Sequence, residues 1–267
     1  MDGSGPPLLL IGDSLSTGVF ASFPLGVPPS PEIQAKFLQL IFGNSHSLRV
    51  AQSNFSEYHN AATTTDADWG VRQAIGKLHH LQSSDIPLYL AAKWGGRLAH
   101  ANEFAEKIPE LYESKKEPEY ILIWLGGNDF CKDHTRDHFE EEYTSLMKKL
   151  MKAYPDASFL LVPIPPIYQI LAYNYEYSAA LSCKKSRKSF CAPIFAKDRV
   201  ERIEQFNQVI SKVADIFSKE VDLVLAEKMA SLKLEAADLS FDCFHPSIQG
   251  QKKFSSVISA AIKGFKP

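Results

Sequence analysis

Three residue types that together perform nucleophilic catalysis stand at the two ends of this chain. Gly12-Asp13-Ser14-Leu15 comes directly after the apolar run Leu8-Leu9-Leu10-Ile11, and Asp242-Cys243-Phe244-His245-Pro246 lies close to the C-terminus. A short apolar run ending in a glycine-bounded turn reads as a buried strand that delivers its next residue to the rim of a sheet. Ser14 is expected on that rim. The spacing of three between Asp242 and His245 lets a carboxylate reach the imidazole and fix its tautomer, so that the other ring nitrogen takes the serine proton. Taken singly, each residue has a plainer reading. A serine after a strand is usually a helix N-cap, Asp242 and His245 could cap a final helix begun by Pro246 and Ser247, and Asn128 in Gly126-Gly127-Asn128-Asp129 could be a turn residue. The constellation outweighs its members.

The elements that must position these groups follow from hydrophobic periodicity. Short apolar runs at 8–11, 88–92, 120–125, 158–162 and 221–225 read as strands. Longer amphipathic segments at 31–42, 69–81, 98–113, 137–154, 198–219 and 247–263 read as helices, the first with Ser30 as N-cap and Pro31 at its first position, the third kinked or divided at Pro109. This alternation predicts an α/β fold, a parallel sheet with helices on both faces, as one domain over residues 1–267. In such a sheet the segments after the strands converge on one rim, so the motifs near Ser14, Asn128 and His245 meet there. Two stretches fit no simple unit: the proline-rich loop 23–30, and the connection 163–197, whose Ile164, Ile167, Tyr168, Ile170 and Tyr173 carry more apolar surface than a solvated linker needs.

With these three motifs in this order, the chain resembles the GDSL, or SGNH, hydrolase superfamily over essentially its whole length. The resemblance implies a three-layer, flavodoxin-like α/β/α sandwich with a five-stranded sheet ordered 2-1-3-4-5. It implies Ser14 as nucleophile, His245 as base, Asp242 as orienting acid, and an oxyanion hole made by the amide of Ser14, the side chain of Asn128 and a backbone N–H from a glycine block. Gly95, after the second strand, is the best match for that glycine. Gly96 is its close competitor, and Asn60-Ala61-Ala62-Thr63-Thr64-Thr65 resembles the start of the same block but has no glycine before Gly70. Asp13 and Asp129 are read as architectural. The segments Gly126 to Cys131 and Phe241 to Pro246 look most like the phospholipase B-like branch, where cysteines follow similar motifs, although the Trp94 to Arg97 stretch matches loosely and the usual leader is missing.

Composition narrows the partners. A formal net charge of −2 gives no broad nucleic-acid footprint. No apolar run approaches the ~18 residues that suggest a membrane span. No glycine-rich phosphate loop follows a strand, so no cofactor is expected. The histidines at 79, 80, 134 and 138 read as scattered exposure on helices rather than metal ligands. Cys131, Cys183, Cys191 and Cys243 allow three pairings or four free thiols; Cys183–Cys191 with Cys131–Cys243 is preferred, the first bracketing a basic loop of Lys184, Lys185, Arg187 and Lys188. Export with a removed leader is preferred over the cytosol, and the sequon Asn54-Phe55-Ser56 does not settle it.

The expected function is hydrolysis of carboxylic esters: lysophospholipids, phospholipids or short-chain acyl esters. Tyr168, Ile167 and Phe244 are the candidate substrate contacts, and the basic loop beside the aromatic stretch is a candidate for transient contact with an anionic membrane surface. The alternatives are a carbohydrate O-deacetylase, which needs an open polar groove, and a catalytically idle binding protein, whose mark would be loss of Ser14, Asn128 or His245. All three residues are present.

Overall fold

In the computed structural model, which describes residues 5–13, 15, 71–82, 85–92, 95–107, 116–176 and 182–265, every apolar run read as a strand joins one sheet. In chain order the elements are β1 (Leu8–Gly12), α1 (Val71–Leu78), β2 (Leu88–Ala92), α2 (Leu98–Ala105), β3 (Tyr120–Trp124), α3 (Gly127–Cys131), α4 (Arg136–Ala153), β4 (Ser158–Leu161), α5 (Cys183–Phe190), α6 (Arg199–Phe217), β5 (Leu223–Leu225) and α7 (Ile248–Ile262), with short 3-10 turns between some of them. The strands are parallel and ordered β2-β1-β3-β4-β5, the order the resemblance implies. β1 and β3 are buried along their whole length, which is what unbroken Leu and Ile runs between two helical layers require. The edge strand β5 is only half-buried.

Helices α1 and α7 pack together in one layer, and α2, α4 and α6 pack in succession in the other. Phe139 of α4 stacks on Phe206 of α6 with ring centres 4.3 Å apart, while Phe254 of α7 meets Trp124 of β3 edge-on at 5.5 Å. The result is the expected α/β/α sandwich. Gly12 is in register with Ala92 on one side and Trp124 on the other, so the segments following β1, β2 and β3 leave the sheet at one level.

Several expectations need adjustment. The helix expected over 98–113 runs only to Ala105, and Pro109 lies outside the described residues, as do the helix expected over 31–42, the loop 23–30, the sequon and the block at Asn60. The connection 163–197 is not an open loop. Its first part turns through a 3-10 segment, Ile167–Ala172, that buries Ile167 and Ile170 in the core, and α5 follows. Hydropathy misses α5 because its buried face is Cys183, Ser186 and Arg187, polar or small residues at helical spacing. Ser182 caps it, its hydroxyl accepting from the Lys185 amide at 3.4 Å.

That helix also overturns the preferred cysteine pairing. The disulfides are Cys131–Cys191 and Cys183–Cys243. Cys191 lies eight residue steps beyond Cys183 along this helix, about 12 Å at 1.5 Å per residue, beyond the ~7 Å limit for bridged Cα atoms. Each cysteine instead reaches a different rim segment, Cys191 the short helix α3 and Cys183 the turn holding Asp242 and His245. The four-residue basic cluster is likewise not a loop tip: Lys184, Lys185 and Lys188 face outward, but Arg187 is 1% exposed.

Candidate active site

The last residue of β1 hands the chain to Asp13, whose buried carboxylate ties two segments together. Its Oδ1 accepts from the Leu15 amide at 2.8 Å, the local side-chain-to-backbone bond that bends a chain after a strand, and its Oδ2 accepts from Asn128 Nδ2 at 3.1 Å. Leu15 is held from the other side, its carbonyl accepting from Gln251 Nε2 of α7 at 2.8 Å. The backbone is therefore pinned immediately before and after Ser14. Ser14 itself lies outside the described residues.

Asn128 is aimed by a sharp turn after β3. Gly126 sits at φ 115°, and a Cβ there would come within 3.0 Å of Ile164 and Phe139, so only glycine suits both the backbone and the packing. Next to Asn128, the buried Asp129 accepts from the Leu98 amide at 3.2 Å, linking this turn to the segment after β2. Burial raises the Asp129 carboxyl to about 7, with Glu142 and Asp13 adding to the rise and the Leu98 hydrogen bond opposing it. Gly95, at φ 62°, is exposed, and among the described residues nothing lies within 4 Å of a Cβ added there. Gly96 is the buried one of the pair. It lines a cavity of about 250 Å³ with Gly12, Ala92, Arg97, His100 and Phe104 at the ends of β1 and β2.

The third segment is the turn before α7. His245 Nδ1 and Asp242 Oδ2 are hydrogen-bonded, both side chains buried. The other carboxylate oxygen of Asp242 accepts from Ser240 Oγ at 2.5 Å and from the amides of Phe244 and His245 at 3.0 and 2.9 Å. Burial alone pushes this carboxyl up. The His245 partner and these hydrogen bonds outweigh it and hold Asp242 below the ordinary carboxylate range. With Nδ1 committed to Asp242, Nε2 becomes the basic nitrogen of the ring. Phe190 and Phe244 stand around His245, with ring centres 5.4 and 5.2 Å away.

The turn is tight and externally braced. Cys243 takes a positive φ of 64°, uncommon for a residue with a Cβ. It is held by its disulfide to Cys183 and by Arg187, whose Nε donates to the Cys243 carbonyl at 2.9 Å. Desolvation lowers Arg187 to about 10 against a favourable pull from Asp242. On the far side, Ser247 caps α7, and Gly250 lies so close to Asp238 that a Cβ would sit 2.2 Å from its carbonyl oxygen.

Of the expected substrate contacts, Phe244 is half-buried beside His245. Ile167 is buried in the core, and Tyr168 lines a separate cavity of about 580 Å³ with Pro163, Asn207, Gln208 and Glu227, which includes none of Asn128, Asp242 or His245. Sequence reading overlooked Ser240, Gln251 and Phe190, and placed Arg187 in a basic loop for surface contact, whereas it is buried beside the site. Only Ser240, two residues before Asp242, carried a local signal; the others reach the site through tertiary packing.

The family model described as GDSL-like Lipase/Acylhydrolase matches residues 8–258. No curated protein matches the sequence. Among solved structures, the esterase EstA of Pseudoalteromonas sp., inhibited by monoethylphosphonate, has 17% identity over 96% of each chain with a TM-score of 0.50. A lipase/acylhydrolase of Enterococcus faecalis has 15% identity over 98% of each chain with a TM-score of 0.53. A family two carbohydrate esterase of Clostridium thermocellum has 14% identity, covering 97% of this chain and 63% of that one, with a TM-score of 0.51. At these identities the likeness is one of fold.

Proposed function

We propose, from the premise that the chain belongs to the GDSL-like lipase/acylhydrolase family, that it hydrolyses carboxylic esters through a Ser14–His245–Asp242 triad. Membership supports an esterase-type hydrolase. The observation that carries the mechanism is the buried couple in which Asp242 fixes the His245 tautomer, in a chain whose residues on either side of Ser14 are tied to Asn128 and to α7.

In this mechanism Ser14 Oγ attacks the ester carbonyl while His245 Nε2 takes its proton, and Asp242 stabilises the imidazolium so formed. The imidazolium then protonates the departing alkoxide, and a water activated by the same nitrogen releases the acid. Negative charge on the carbonyl oxygen is met by the Ser14 amide, by a backbone N–H of the Gly95-Gly96 pair, and by Asn128. The Asn128 amide carries two N–H groups; Asp13 engages one, which orients the other towards the substrate. Removal of one such donor typically costs about 2.7–4 kcal/mol of transition-state stabilisation.

The substrate class we assign is an acyl ester, lysophospholipids and phospholipids ahead of short-chain esters, as in the phospholipase B-like branch. Phe190 and Phe244 beside His245 support an apolar acyl contact better than a polar sugar groove. Lys184, Lys185 and Lys188, exposed on α5 next to Phe190, support an approach to anionic headgroups. The two disulfides support an exported protein. A fluorophosphonate probe tests nucleophile activation without knowledge of the substrate. Labelling of the wild type and its loss in Ser14→Ala are expected; equal labelling of both would overturn the mechanism. Parallel assays on lysophosphatidylcholine, nitrophenyl acetate and acetylated xylan then decide the substrate class.

A further inference from the structure

Away from the proposed triad, at the start of α4, three metal-type ligands converge. We propose that His134, His138 and Glu142 bind one divalent transition-metal ion of the zinc class, with water completing the coordination. One ligand atom from each lies within 4.8 Å of those of the other two. His138 and Glu142 are one helical turn apart on the same face of α4, with His138 Nε2 3.5 Å from Glu142 Oε1. His134 stands just before the helix, and Thr135 fixes the turn between them by accepting from the His138 amide at 3.3 Å. The two imidazoles meet edge-on with centres 5.0 Å apart. This is a packed pair, and Glu142 completes a spacing that sequence reading passed over as scattered exposure.

Two further observations point to a ligand. Among the described residues, Glu142 Oε2 is buried without a hydrogen-bond partner, an expensive state for a carboxylate oxygen that a cation relieves. His134 Nδ1 is likewise buried and without a hydrogen bond among the described residues, 3.4 Å from Asp129 Oδ1. A carboxylate behind a ligating imidazole is the usual outer partner of a metal-bound histidine, fixing its orientation and raising its basicity. Two imidazoles and one carboxylate suit zinc, nickel or copper rather than calcium or magnesium, which demand oxygen donors.

One neighbour opposes the ion. Arg97 Nη1 lies 3.4 Å from His134 Nε2 and, being only a donor, holds that nitrogen as an acceptor. A cation bound at this cluster must displace or repel the guanidinium. Arg97 thus acts as a competing cation, and its removal should tighten metal binding, an effect that an ordinary surface ion-pair cluster has no reason to show. The site does not depend on ester hydrolysis. Its contact with Asp129, which holds the Leu98 amide, makes it a brace between α4 and the segments after β2 and β3.

The test is isothermal titration of untagged, chelator-stripped full-length protein with zinc chloride, together with the visible spectrum of the cobalt-loaded form. One equivalent of zinc is expected to bind. His138→Ala and Glu142→Gln should each weaken binding by at least about tenfold, since loss of even an outer partner costs ~10–100-fold. Arg97→Ala should strengthen it, and His80→Ala should leave it unchanged. Circular dichroism verifies the fold of each variant; His138 is half exposed, so its removal leaves the core untouched. Failure of the wild type to bind zinc would overturn the site, as would binding that persists in His138→Ala/Glu142→Gln. Fluorophosphonate labelling of the same samples reports on the triad separately.

Discussion

Arg187→Met removes the most heavily engaged buried cation around the proposed active site while nearly keeping the side-chain volume. The guanidinium donates to the Cys243 carbonyl at 2.9 Å, to the Tyr173 carbonyl at 2.5 Å and to Asn174 Oδ1 at 3.4 Å. Methionine offers none of these donors, so the two carbonyls lose this charged partner. Each buried acceptor so stranded costs about 1–3 kcal/mol, and Asp242 loses a nearby positive charge as well. Two such acceptors give about 2–6 kcal/mol, which brackets the ~3–5 kcal/mol of breaking a buried charged pair. Arg187→Lys should recover only part of it, because an ammonium on a flexible stem does not span three acceptors in a plane. Urea unfolding with the disulfides intact measures the loss as a lowered midpoint at unchanged slope, and ester turnover should fall with it because Cys243 lies between Asp242 and His245. A shift under about 1 kcal/mol together with full turnover would refute the view that Arg187 braces this turn.

Asn128→Ala should lower kcat by about 10²–10³ with little change in KM; Asp13→Ala should act in the same direction but less, since it disturbs the amide without deleting it, and a pure KM effect in steady-state kinetics would contradict the role given to Asp13. Each disulfide closes a span of 60 residues, so on chain entropy each contributes about 4 kcal/mol; Cys183→Ser/Cys243→Ser should in addition impair turnover more than Cys131→Ser/Cys191→Ser does, and equal impairment would count against a special tie to the His245 turn. Gly250→Ala should destabilise well beyond an ordinary helix substitution, which usually gains from alanine, because its Cβ would stand 2.2 Å from the Asp238 carbonyl oxygen; an unchanged Tm disproves that close approach. Asp242 titrates below its unfolded value of ~3.9, so its contribution to stability is fully present above that value and is lost as pH falls through the lower folded one; urea unfolding from pH 6 to pH 2 should therefore show an acid-side slope that Asp242→Asn reduces, and identical slopes would disprove it.

What could be read from the sequence was whatever local periodicity encodes. Leu8 to Ile11 and Tyr120 to Trp124 are apolar at every position because both faces of each strand are covered, and that pattern is visible one segment at a time. The Asp242-x-x-His245 pairing was legible for the same reason, since its geometry closes within four residues. The cysteine connectivity was not. It depends on whether residues 183–190 form a helix or a loop, and that helix is stabilised by burying Cys183, Ser186 and Arg187 against distant segments, a polar face with no hydropathic signature. Arg187 shows the same limit: four basic residues in a row of five look alike in sequence, and only packing separates the one turned inward from the three in solvent.

The excursion between β4 and α6 also accounts for how a strained turn can carry the proposed base. Cys243 at positive φ would be expected to relax towards a more open backbone, carrying Asp242 and His245 apart. Three restraints from outside the turn oppose this: the disulfide to Cys183 at the start of α5, the Arg187 donor one helical turn later, and the cap that Ser247 provides to α7. Two of the three come from α5, and α5 is itself held at its other end by Cys191, bonded to Cys131 of α3, the same short helix that presents Asn128. The Asn128 turn, directly after β3, and the His245 turn, directly before α7, are thus joined through a single eight-residue helix. A perturbation of α5 should therefore disturb proton transfer and oxyanion binding together, whereas a change confined to either turn should affect one alone.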